Sequence, residues 1–343
     1  MNKPSNISHQ TLEKPRFSVI MPLYNKAPYV KKALESVVAQ TYKEWELIII
    51  DDGSTDGSAD VVRDFIRAFQ ISNFRIQILL QENAGVAAAR NNGVKASHGQ
   101  FLCFLDADDW WELTFLEEVK KLIHEYPEAG IYATNYVYYK PGKTHVALNL
   151  PRGYINYPDA YLHSKQMPIW TGATCMPRRV FDELGGFPLG IKLGEDFLLW
   201  AKTALHYKVA FCEKPLAYYN NDVPASFRAT RNFHAPEHHM LFHLDSLLVE
   251  INYLSVHPFI HSSVESWIQL IDKLRVHGLL EYWMSKEYHD AAAKELARVD
   301  WNKQPKSVKA QYEKPIWLLK AHYRFMQIGS YCKQKLIRLL HKK

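Results

Sequence analysis

The sequence predicts an α/β fold in which a mostly parallel sheet is flanked by helices, with an all-helical extension at its C-terminal end. Over about the first hundred residues, a short apolar run, a polar loop and an amphipathic helical stretch repeat four times. This spacing is typical of right-handed βαβ units. After residue 235, apolar residues instead recur at helical spacing. We therefore expect a disordered tail at 1–15, an α/β domain at 16–235 and a helical region at 236–343.

Each predicted element follows from the period of its apolar residues. Strands are predicted where β-branched and aromatic residues form short runs, at 17–21, 45–50, 75–80, 101–105, 129–139 and 208–219. Helices are predicted where apolar residues recur every three or four positions, at 28–40, 59–69, 86–96, 113–126, 241–254, 264–284, 290–299 and 315–343. Residues 140–168 show no clear period, so no element is predicted there.

The composition is that of a globular protein, since 47% of the 343 residues are hydrophobic and 23% are charged. The four cysteines lie far apart without a CxxC pair, which indicates reduced, mostly buried thiols rather than disulfides or a zinc site. The polar N-terminus lacks the apolar segment of a signal peptide, and no apolar run is long enough to span a bilayer. We therefore expect a cytoplasmic protein.

The net charge of +6 is unevenly distributed. From Trp301 onward there are eleven Lys or Arg and one acid, so this tail carries about +10 and the rest of the chain about −4. A mildly acidic body argues against nucleic-acid binding. Within the tail, residues 315–343 form either a helix that packs on its neighbours or an interfacial helix that touches anionic lipid. The second interpretation would place the protein at the inner face of the plasma membrane.

Carboxylates cluster where the predicted strand at 101–105 ends. Asp106 and Asp108 flank the small Ala107, and Asp109 follows directly. In open α/β sheets, ligands bind at the carboxyl ends of the strands. Like charges this close repel unless a cation lies between them, and hard oxygen ligands suit Mg²⁺ or Mn²⁺. We therefore interpret Asp106 and Asp108 as metal ligands. The alternative is a solvated acidic loop in which Asp109 caps a helix that begins near Trp111.

Residues typical of turns and helix N-caps follow the second predicted strand, at 51–58. One interpretation is that they have this structural role and no other. The loop after the first strand, Met21 to Asn25, has no GxGxxG and no glycine-rich phosphate loop. Its absence disfavours a dinucleotide-binding fold. The lack of a glycine-rich phosphate loop also disfavours a sugar nucleotidyltransferase.

Three segments together resemble the nucleotide-sugar half of the inverting glycosyltransferases of family two, which have the Rossmann-like GT-A fold. They read SVIMPLYN, ELIIIDDGSTDGS and ENAGVAAARNNGVKASHGQFLCFLDADD, in the order of the family. The resemblance implies that the carboxylate of Asp52 accepts the N3–H of uracil, so that the donor is a UDP-sugar. It assigns the uracil slot and the rest of the donor site to Pro22, Leu23, Tyr24, Asn25, Asn83, Arg90, Asp106 and Ala107.

Within that site, the ring of Tyr24 could stack on the base, and Arg90 could reach the base or a phosphate. The alternative for Arg90 is a surface position on an amphipathic helix. The resemblance also implies that Asp108, with Asp106, holds Mn²⁺ or Mg²⁺ at the donor diphosphate.

A second group of family motifs lies further along the chain. The segment Trp170 to Arg179, then GGF at 185–187 and then Gly194-Glu195-Asp196 resemble motifs that the family commonly has at this place, and the family's region comparable to 140–168 helps to form the acceptor side. By this resemblance Asp196 is the catalytic base. A helix dipole would keep it ionised at a helix N-terminus, although a simple capping acid would occupy the same place. The family often continues with YRxHxxS, whereas this chain has Asn220 and Asp222 where Arg and His are common. Arg228 or Arg231 could supply the missing positive charge.

The resemblance implies transfer of a sugar from a UDP-sugar, or another nucleotide-sugar, to an acceptor hydroxyl by a single in-line displacement. By analogy the acceptor is a glycan or lipid-linked glycan of bacterial surface assembly, such as capsule, O-antigen or lipid-linked oligosaccharide. Two other classes are considered: a sugar nucleotidyltransferase, and a non-catalytic nucleotide-binding protein on the same fold.

Overall fold

The computed structural model of the protein describes residues 16–68, 75–224, 233–255 and 263–321. Within these ranges ten strands form one sheet in the order β3-β2-β1-β4-β9-β6-β10-β5, while β7 pairs with β6 and β8 with β10. The strands are β1 (Phe17–Leu23), β2 (Trp45–Asp51), β3 (Arg75–Leu80), β4 (Phe101–Phe104), β5 (Trp110–Trp111), β6 (Ala129–Tyr139), β7 (His145–Val146), β8 (Gly153–Ile155), β9 (Thr174–Pro177) and β10 (Lys208–Asn220).

The first half of the sheet is wholly parallel, with β1 between β2 and β4 and with β3 on the outer side of β2. All seven residues of β2 are buried, as are all of β1 except Pro22. Helices cover both faces of such a sheet, which explains why these strands are continuous apolar runs. Parallel strands place their carboxyl ends at one edge, so the loops after β1, β2, β3 and β4 meet there.

The second half of the sheet is mixed. Strand β9 pairs antiparallel with both β4 and β6, whereas the long strands β6 and β10 are parallel. We call Asp106 to Asp109 the acidic loop. Strand β5 follows it and pairs antiparallel with Ala217 and Tyr218 of β10. This pairing brings the end of β10 next to the carboxylates that follow β4. The predicted mostly parallel sheet is confirmed.

The described part of the sheet domain contains seven α-helices: α1 (Val30–Val38), α2 (Ser58–Ala68), α3 (Val86–Ala96), α4 (Phe115–Glu125), α5 (Tyr157–His163), α6 (Arg178–Leu184) and α7 (Glu195–His206). Helix α3 packs very closely on the centre of the sheet. A Cβ added at Gly93 would lie 2.5 Å from Cγ2 of Ile20 and 3.3 Å from Cγ1 of Ile50. Glycine at this position therefore lets the helix, and Arg90 on it, approach β1 and β2.

The described part of the chain after residue 235 is helical. It contains α8 (Leu244–Ser255), α9 (Val264–Gly278), α10 (Leu280–Met284), α11 (His289–Leu296) and α12 (Lys306–Tyr312). Arg275 of α9 is 1% exposed and pairs with Asp245 at 2.8 Å and with Glu295 at 3.0 Å, which ties α8, α9 and α11 together. The ring of Trp267 lies 5.8 Å from that of Tyr157 in α5, so this region packs against the sheet domain.

Among the helices in the described ranges, none is both long and apolar enough to cross a bilayer.

Several predicted elements have the observed bounds, namely β3, β6 and α3, and other predicted elements of the sheet domain lie within a few residues of the observed ones. The segment 140–168, left unassigned from sequence, contains β7, β8 and α5, and α12 was also missed. The helix predicted at 264–284 is divided at Leu279 into α9 and α10. The predicted tail at 1–15, Arg228, Arg231 and most of the basic helix at 315–343 lie outside the described residues. The domain boundary at 235 stays a prediction.

Candidate active site

The loop after β1 presents the first predicted donor residues. Pro22 and Leu23 are the last residues of β1, and Leu23 is fully buried. Tyr24 is 49% exposed, so its ring is accessible for stacking on a base. Asn25 is the only non-glycine residue with a positive φ in the described part of the chain, at 51°. Asparagine tolerates this left-handed conformation better than most residues, which explains its place at the turn.

This loop is fixed by the loop that follows β2. The successive N–H groups of residues 25–27 donate to Ser54 Oγ at 3.0 Å, Ser58 Oγ at 2.8 Å and Asp56 Oδ2 at 3.0 Å. Asp56 also accepts the N–H of Ser58, the first residue of α2, at 3.0 Å. Burial opposes ionisation of Asp56, but the hydrogen bonds from Ser58 and Ala27 outweigh it and lower its pKa. Asp56 is therefore a clamp and helix cap.

Asp52 directly follows β2, is 3% exposed, and places its carboxylate at the N-terminus of α3. Its Oδ1 accepts Gln81 Nε2 at 2.7 Å and the N–H of Ala84 at 2.8 Å, and its Oδ2 accepts the N–H of Gly85 at 2.9 Å. The side chain of Asn83 donates to the carbonyl of Asp52 at 3.0 Å, so these two predicted residues are brought together. A carboxylate offers about four acceptor positions. One therefore remains on Oδ2 for a base N–H.

Arg90 joins the two acidic motifs of the chain. Its Nη2 donates to Asp106 Oδ1 and its Nη1 to Glu195 Oε1, each at 2.8 Å. Arg90 is 3% exposed and its guanidinium lies 5.2 Å from the ring centre of Phe187, so the alternative of a surface arginine is wrong. Burial alone would lower the pKa of Arg90, but the charges of Asp106 and Glu195 raise it, which keeps the side chain ionised.

Asp106 and Asp108 are partly exposed, with 30% and 18% of their side chains accessible. Ala107 between them is 2% exposed and packs in the core, so only its backbone can face a ligand. Asp108 Oδ2 lies 2.6 Å from the ammonium of Lys26. The two carboxylates that sequence assigns to a metal are thus each paired with a cation of the chain, Asp106 with Arg90 and Asp108 with Lys26.

Asp109 has a different role from the helix cap considered from sequence. It is 3% exposed, and its Oδ1 accepts the N–H of Asn220 at the end of β10 at 2.7 Å. Helix α4 begins only at Phe115, because Trp110 and Trp111 form strand β5. The capping interpretation of Asp109 is therefore wrong. The carboxylate instead fastens the acidic loop to the last strand of the sheet.

The site carries an excess of acidic groups. The cluster comprises Asp106, Asp108, Asp109, Glu195 and Asp196 against the two cations Lys26 and Arg90. Burial raises the pKa of Asp108, opposed by Lys26 and reinforced by Asp106. Burial and the charges of Asp108 and Asp106 raise the pKa of Asp109 well above its usual range. Burial and mutual repulsion make the ionised forms of these carboxylates unfavourable, so an added cation would stabilise them.

The residues fit a divalent cation that is shared with a ligand. In the ranges that the structure covers, no group of three or more His, Cys, Asp or Glu could hold an ion by itself. Asp106 and Asp108 can supply two hard oxygen ligands. Mg²⁺ typically binds one or two carboxylates together with substrate phosphates and waters. The fit is therefore to a metal site completed by a phosphate-bearing substrate.

Asp196 lies in the first turn of α7, as predicted. Its Oδ2 accepts the hydroxyl of Thr171 at 2.8 Å, and its Oδ1 accepts the N–H of Phe197 at 2.8 Å. The indole of Trp200 donates to the same Thr171 oxygen at 3.3 Å, so the hydroxyl is oriented toward Asp196. Two neighbours fix this corner, Thr171 and Glu195. Both lie within the family motifs, but the sequence alone assigns neither a role.

The pKa of Glu195 is raised. Burial and the neighbouring Asp196 raise this pKa to about 7, while Arg90 opposes the rise.

The start of α7 depends on Gly194, which has a φ of 84°. A Cβ there would lie 2.4 Å from Met240 Sδ, whereas Gly190, with a φ of 83°, has nothing within 4 Å. We expect Gly190→Ala to cost about 1 kcal/mol of unfolding free energy through its φ alone. Gly194→Ala should cost at least about 1 kcal/mol more because of the added overlap. Urea denaturation of both variants measures the difference, and equal losses would contradict the packing argument.

Aromatic side chains form a wall next to Asp196. The ring of Trp170, adjacent to Thr171, lies 5.4 Å from that of Tyr219, which lies 5.3 Å from Tyr138. Tyr161 is half-buried between these groups: burial raises its pKa, and the charge of Asp196 and the ring of Tyr138 raise it further. We call Trp170, Tyr219, Tyr138 and Tyr161 the aromatic wall. It lies in and beside the segment 140–168, for which the sequence predicts no element.

The end of β10 departs from the family pattern, and it takes part in local bonding. The side chain of Asn220 accepts the N–H of Asp222 at 3.0 Å, and the N–H of Asn220 binds Asp109. Asp222 therefore shapes the turn after β10.

Comparison with known proteins gives the class to which this fold and site belong, the GT-A glycosyltransferases. Residues 18–185 match the family described as Glycosyl transferase family 2. The chain therefore carries a family 2 glycosyltransferase domain, which confirms the resemblance inferred from sequence.

Two named relatives each match about one third of this chain. Glycosyltransferase GlyA of Streptococcus pneumoniae serotype 4 is 40% identical over 121 residues, which are 35% of this chain and 17% of GlyA. The putative teichuronic acid biosynthesis glycosyltransferase TuaG of Bacillus subtilis is 39% identical over 113 residues, 33% of this chain and 43% of TuaG. The matches thus span less than half of either relative.

Solved structures extend the likeness over more of the chain. Residues 1–349 of TarS from S. aureus in complex with UDP-GlcNAc align with a TM-score of 0.65 and 18% identity, over 82% of this chain and 79% of that one. The same protein in complex with UDP gives 0.64 and 19%, over 89% and 87%. At this identity the likeness establishes the shared fold.

Proposed function

We propose that the protein transfers a sugar, with inversion, from a UDP-sugar to a hydroxyl of a glycan acceptor. One observation carries this proposal: the two N–H groups of Arg90 hold Asp106 of the acidic loop and Glu195, the neighbour of Asp196, in one cluster. A group suited to binding a donor diphosphate and a group suited to deprotonating an acceptor therefore lie together at the same sheet edge.

The proposed donor site extends from Asp52 to the acidic loop. The remaining acceptor position of Asp52 suits the N3–H of uracil, and the exposed ring of Tyr24 suits stacking on that base. Pro22, Leu23, Asn25 and Asn83 shape this slot in the proposal. The TarS complexes with UDP and UDP-GlcNAc support a uridine nucleotide on this fold. Asp106 and Asp108 would hold Mn²⁺ or Mg²⁺, which when bound neutralises charge on the leaving diphosphate.

The proposed chemistry is a single displacement. The acceptor oxygen forms a bond to the anomeric carbon while the bond from that carbon to the diphosphate breaks. Asp196 takes the hydroxyl proton as general base. The hydroxyl of Thr171 donates to Asp196 Oδ2 and so fixes the orientation of the carboxylate. Arg90 keeps the acidic loop against this corner and remains charged throughout.

The aromatic wall supports a carbohydrate acceptor. The C–H faces of sugar rings are apolar and pack on aromatic faces, while their hydroxyls need nearby polar groups. Tyr138, Tyr161 and Tyr219 offer both a ring and a hydroxyl and are only half-buried. The name of TuaG refers to teichuronic acid biosynthesis, which supports an acceptor in bacterial surface glycan assembly.

Peripheral membrane contact through the basic tail stays part of the proposal. Trp317 is 70% exposed and Leu318 is 41% exposed, and both lie in the described beginning of this segment. Exposed aromatic and leucine side chains beside lysines are the composition of an interfacial helix.

A panel of UDP-sugars with Mn²⁺ tests the proposed function. A donor present at a hundred times its Kd should stabilise the folded protein by about 2.7 kcal/mol, visible as a raised melting temperature. The stabilising UDP-sugar should then release UDP slowly without an acceptor, because water replaces the acceptor inefficiently. Release of pyrophosphate from UTP and a sugar phosphate would instead identify a nucleotidyltransferase. Stabilisation without any turnover would identify a binding protein.

A further inference from the structure

Lys26, to which the sequence assigns no role, is in direct contact with the acidic loop. Its Nζ lies 2.6 Å from Asp108 Oδ2, across 82 residues of sequence, with 15% and 18% of the two side chains exposed. The contact joins the loop after β1 to the loop after β4. It is therefore part of the fold of the site and not an accidental pairing on an open surface.

The backbone beneath Lys26 is unusually well fixed. The N–H of Lys26 donates to Ser58 Oγ at 2.8 Å, and its two neighbours in the chain donate to Ser54 and Asp56. Asn25 takes a left-handed conformation directly before it. The turn thus sets the point from which the lysine side chain extends, and the four-carbon stem is itself flexible.

The two cations of the site differ in burial and in side-chain flexibility. Arg90 is 3% exposed and is held by two carboxylates, so it cannot leave without orphaning both. Lys26 is more exposed and carries a compact charge on a flexible stem. If Asp108 binds a divalent cation, the ammonium must give up this oxygen. A displaced ammonium beside a bound diphosphate would find phosphate oxygens as new partners.

We propose that Lys26 is a built-in counter-ion of the metal ligand Asp108. It occupies the cation position until a divalent cation and a nucleotide arrive together, and it then moves to a phosphate oxygen. This inference rests on the proposed function only in taking Asp108 as a metal ligand. Its consequence is thermodynamic coupling, in which metal alone binds weakly and nucleotide and metal each strengthen the binding of the other.

Mn²⁺ titrations of the full chain with and without UDP, followed by electron paramagnetic resonance, test this inference. Lys26→Met removes both the competitor for Asp108 and the phosphate partner. We expect it to tighten the binding of Mn²⁺ alone at least about tenfold and to reduce the factor by which UDP tightens it by at least about tenfold, well within usual coupling strengths. Lys31→Met, which alters a lysine with 69% side-chain exposure in α1, should change neither.

Tighter binding of Mn²⁺ alone together with a smaller effect of UDP distinguishes this role from a structural one. General damage would weaken both the Mn²⁺ binding and the UDP effect. The inference is overturned if Lys26→Met binds Mn²⁺ alone no more tightly than the wild type does, or if neither protein binds it. It is also overturned if UDP tightens Mn²⁺ binding to the variant by the same factor as in the wild type. Lys26→Arg keeps the charge and should retain the weak, strongly UDP-dependent binding, which controls for folding of the Met variant.

Asp108→Asn separates this inference from the proposed function. If this variant keeps the UDP-dependent Mn²⁺ binding of the wild type, the metal assignment itself is wrong. If it loses that binding while Lys26→Met behaves as the wild type, only the role of Lys26 is wrong.

Discussion

Asp196→Asn should leave donor binding near normal and lower sugar transfer by roughly two to four orders of magnitude, the usual contribution of a general base. Asparagine keeps the shape of the side chain and can still accept the Thr171 hydroxyl at the position of Oδ2. It cannot take a proton from an acceptor hydroxyl. Titration calorimetry with a UDP-sugar and steady-state transfer rates measure the two effects separately.

Asp290→Asn is a matched control, because Asp290 is an exposed acid in the first turn of α11. If both acids act only on a helix dipole, both variants should lose at most about 1 kcal/mol of stability and keep full activity. Weaker donor binding by Asp196→Asn with unchanged turnover would instead identify Asp196 as a donor ligand.

Asp108→Ala should lower transfer at least about a hundredfold, since one group that stabilises developing charge is typically worth that much. The binding of UDP should also lose its dependence on Mn²⁺. The substitution removes the oxygen that would bind the metal and leaves Lys26 without its 2.6 Å partner. Activity measured over a Mn²⁺ series and UDP affinity with and without chelator are the relevant measurements.

Asp60→Ala controls for the loss of a paired carboxylate. Asp60 forms an ion pair with Arg63 at 2.7 Å on α2, where 75% of the aspartate side chain is exposed. Pairs of this kind contribute about 0–1 kcal/mol, so activity should not change. An Asp108→Ala enzyme that turns over at the wild-type rate in the presence of chelator would show that the metal assignment is wrong.

The donor half of the fold was predictable because its signals are local. Strands β1 to β4 are continuous apolar runs, and each is followed by turn residues at the edge where ligands bind. The family resemblance assigned Asp52 and Asn83 to one donor site, and these two residues are in contact. Residues 140–168 gave no signal because their short elements depend on distant partners. Gly153 of β8, for example, pairs with Phe211 of β10.

The pairings inside the site could not be predicted, since they join positions far apart in sequence. Arg90 contacts Glu195 across 105 residues, and Asp109 contacts Asn220 across 111. A local pattern predicts that a carboxylate follows a strand, but not which distant N–H or cation it will meet. For the same reason the alternative considered for Asp109 from sequence was a helix cap, which needs only a local partner.

The bridge made by Arg90 has a consequence for recombination between relatives. Arg90 lies in the segment that binds the donor in our proposal, and Glu195 in the segment that faces the acceptor. Their side chains are 4% and 9% exposed. Breaking such a buried pair by removing one partner costs about 3–5 kcal/mol. A chimera that joins the first hundred residues of one homologue to the remainder of another should fold only where both parents keep this arginine and this glutamate. Under the proposed function, donor and acceptor preferences could therefore be exchanged only between homologues that share this pair.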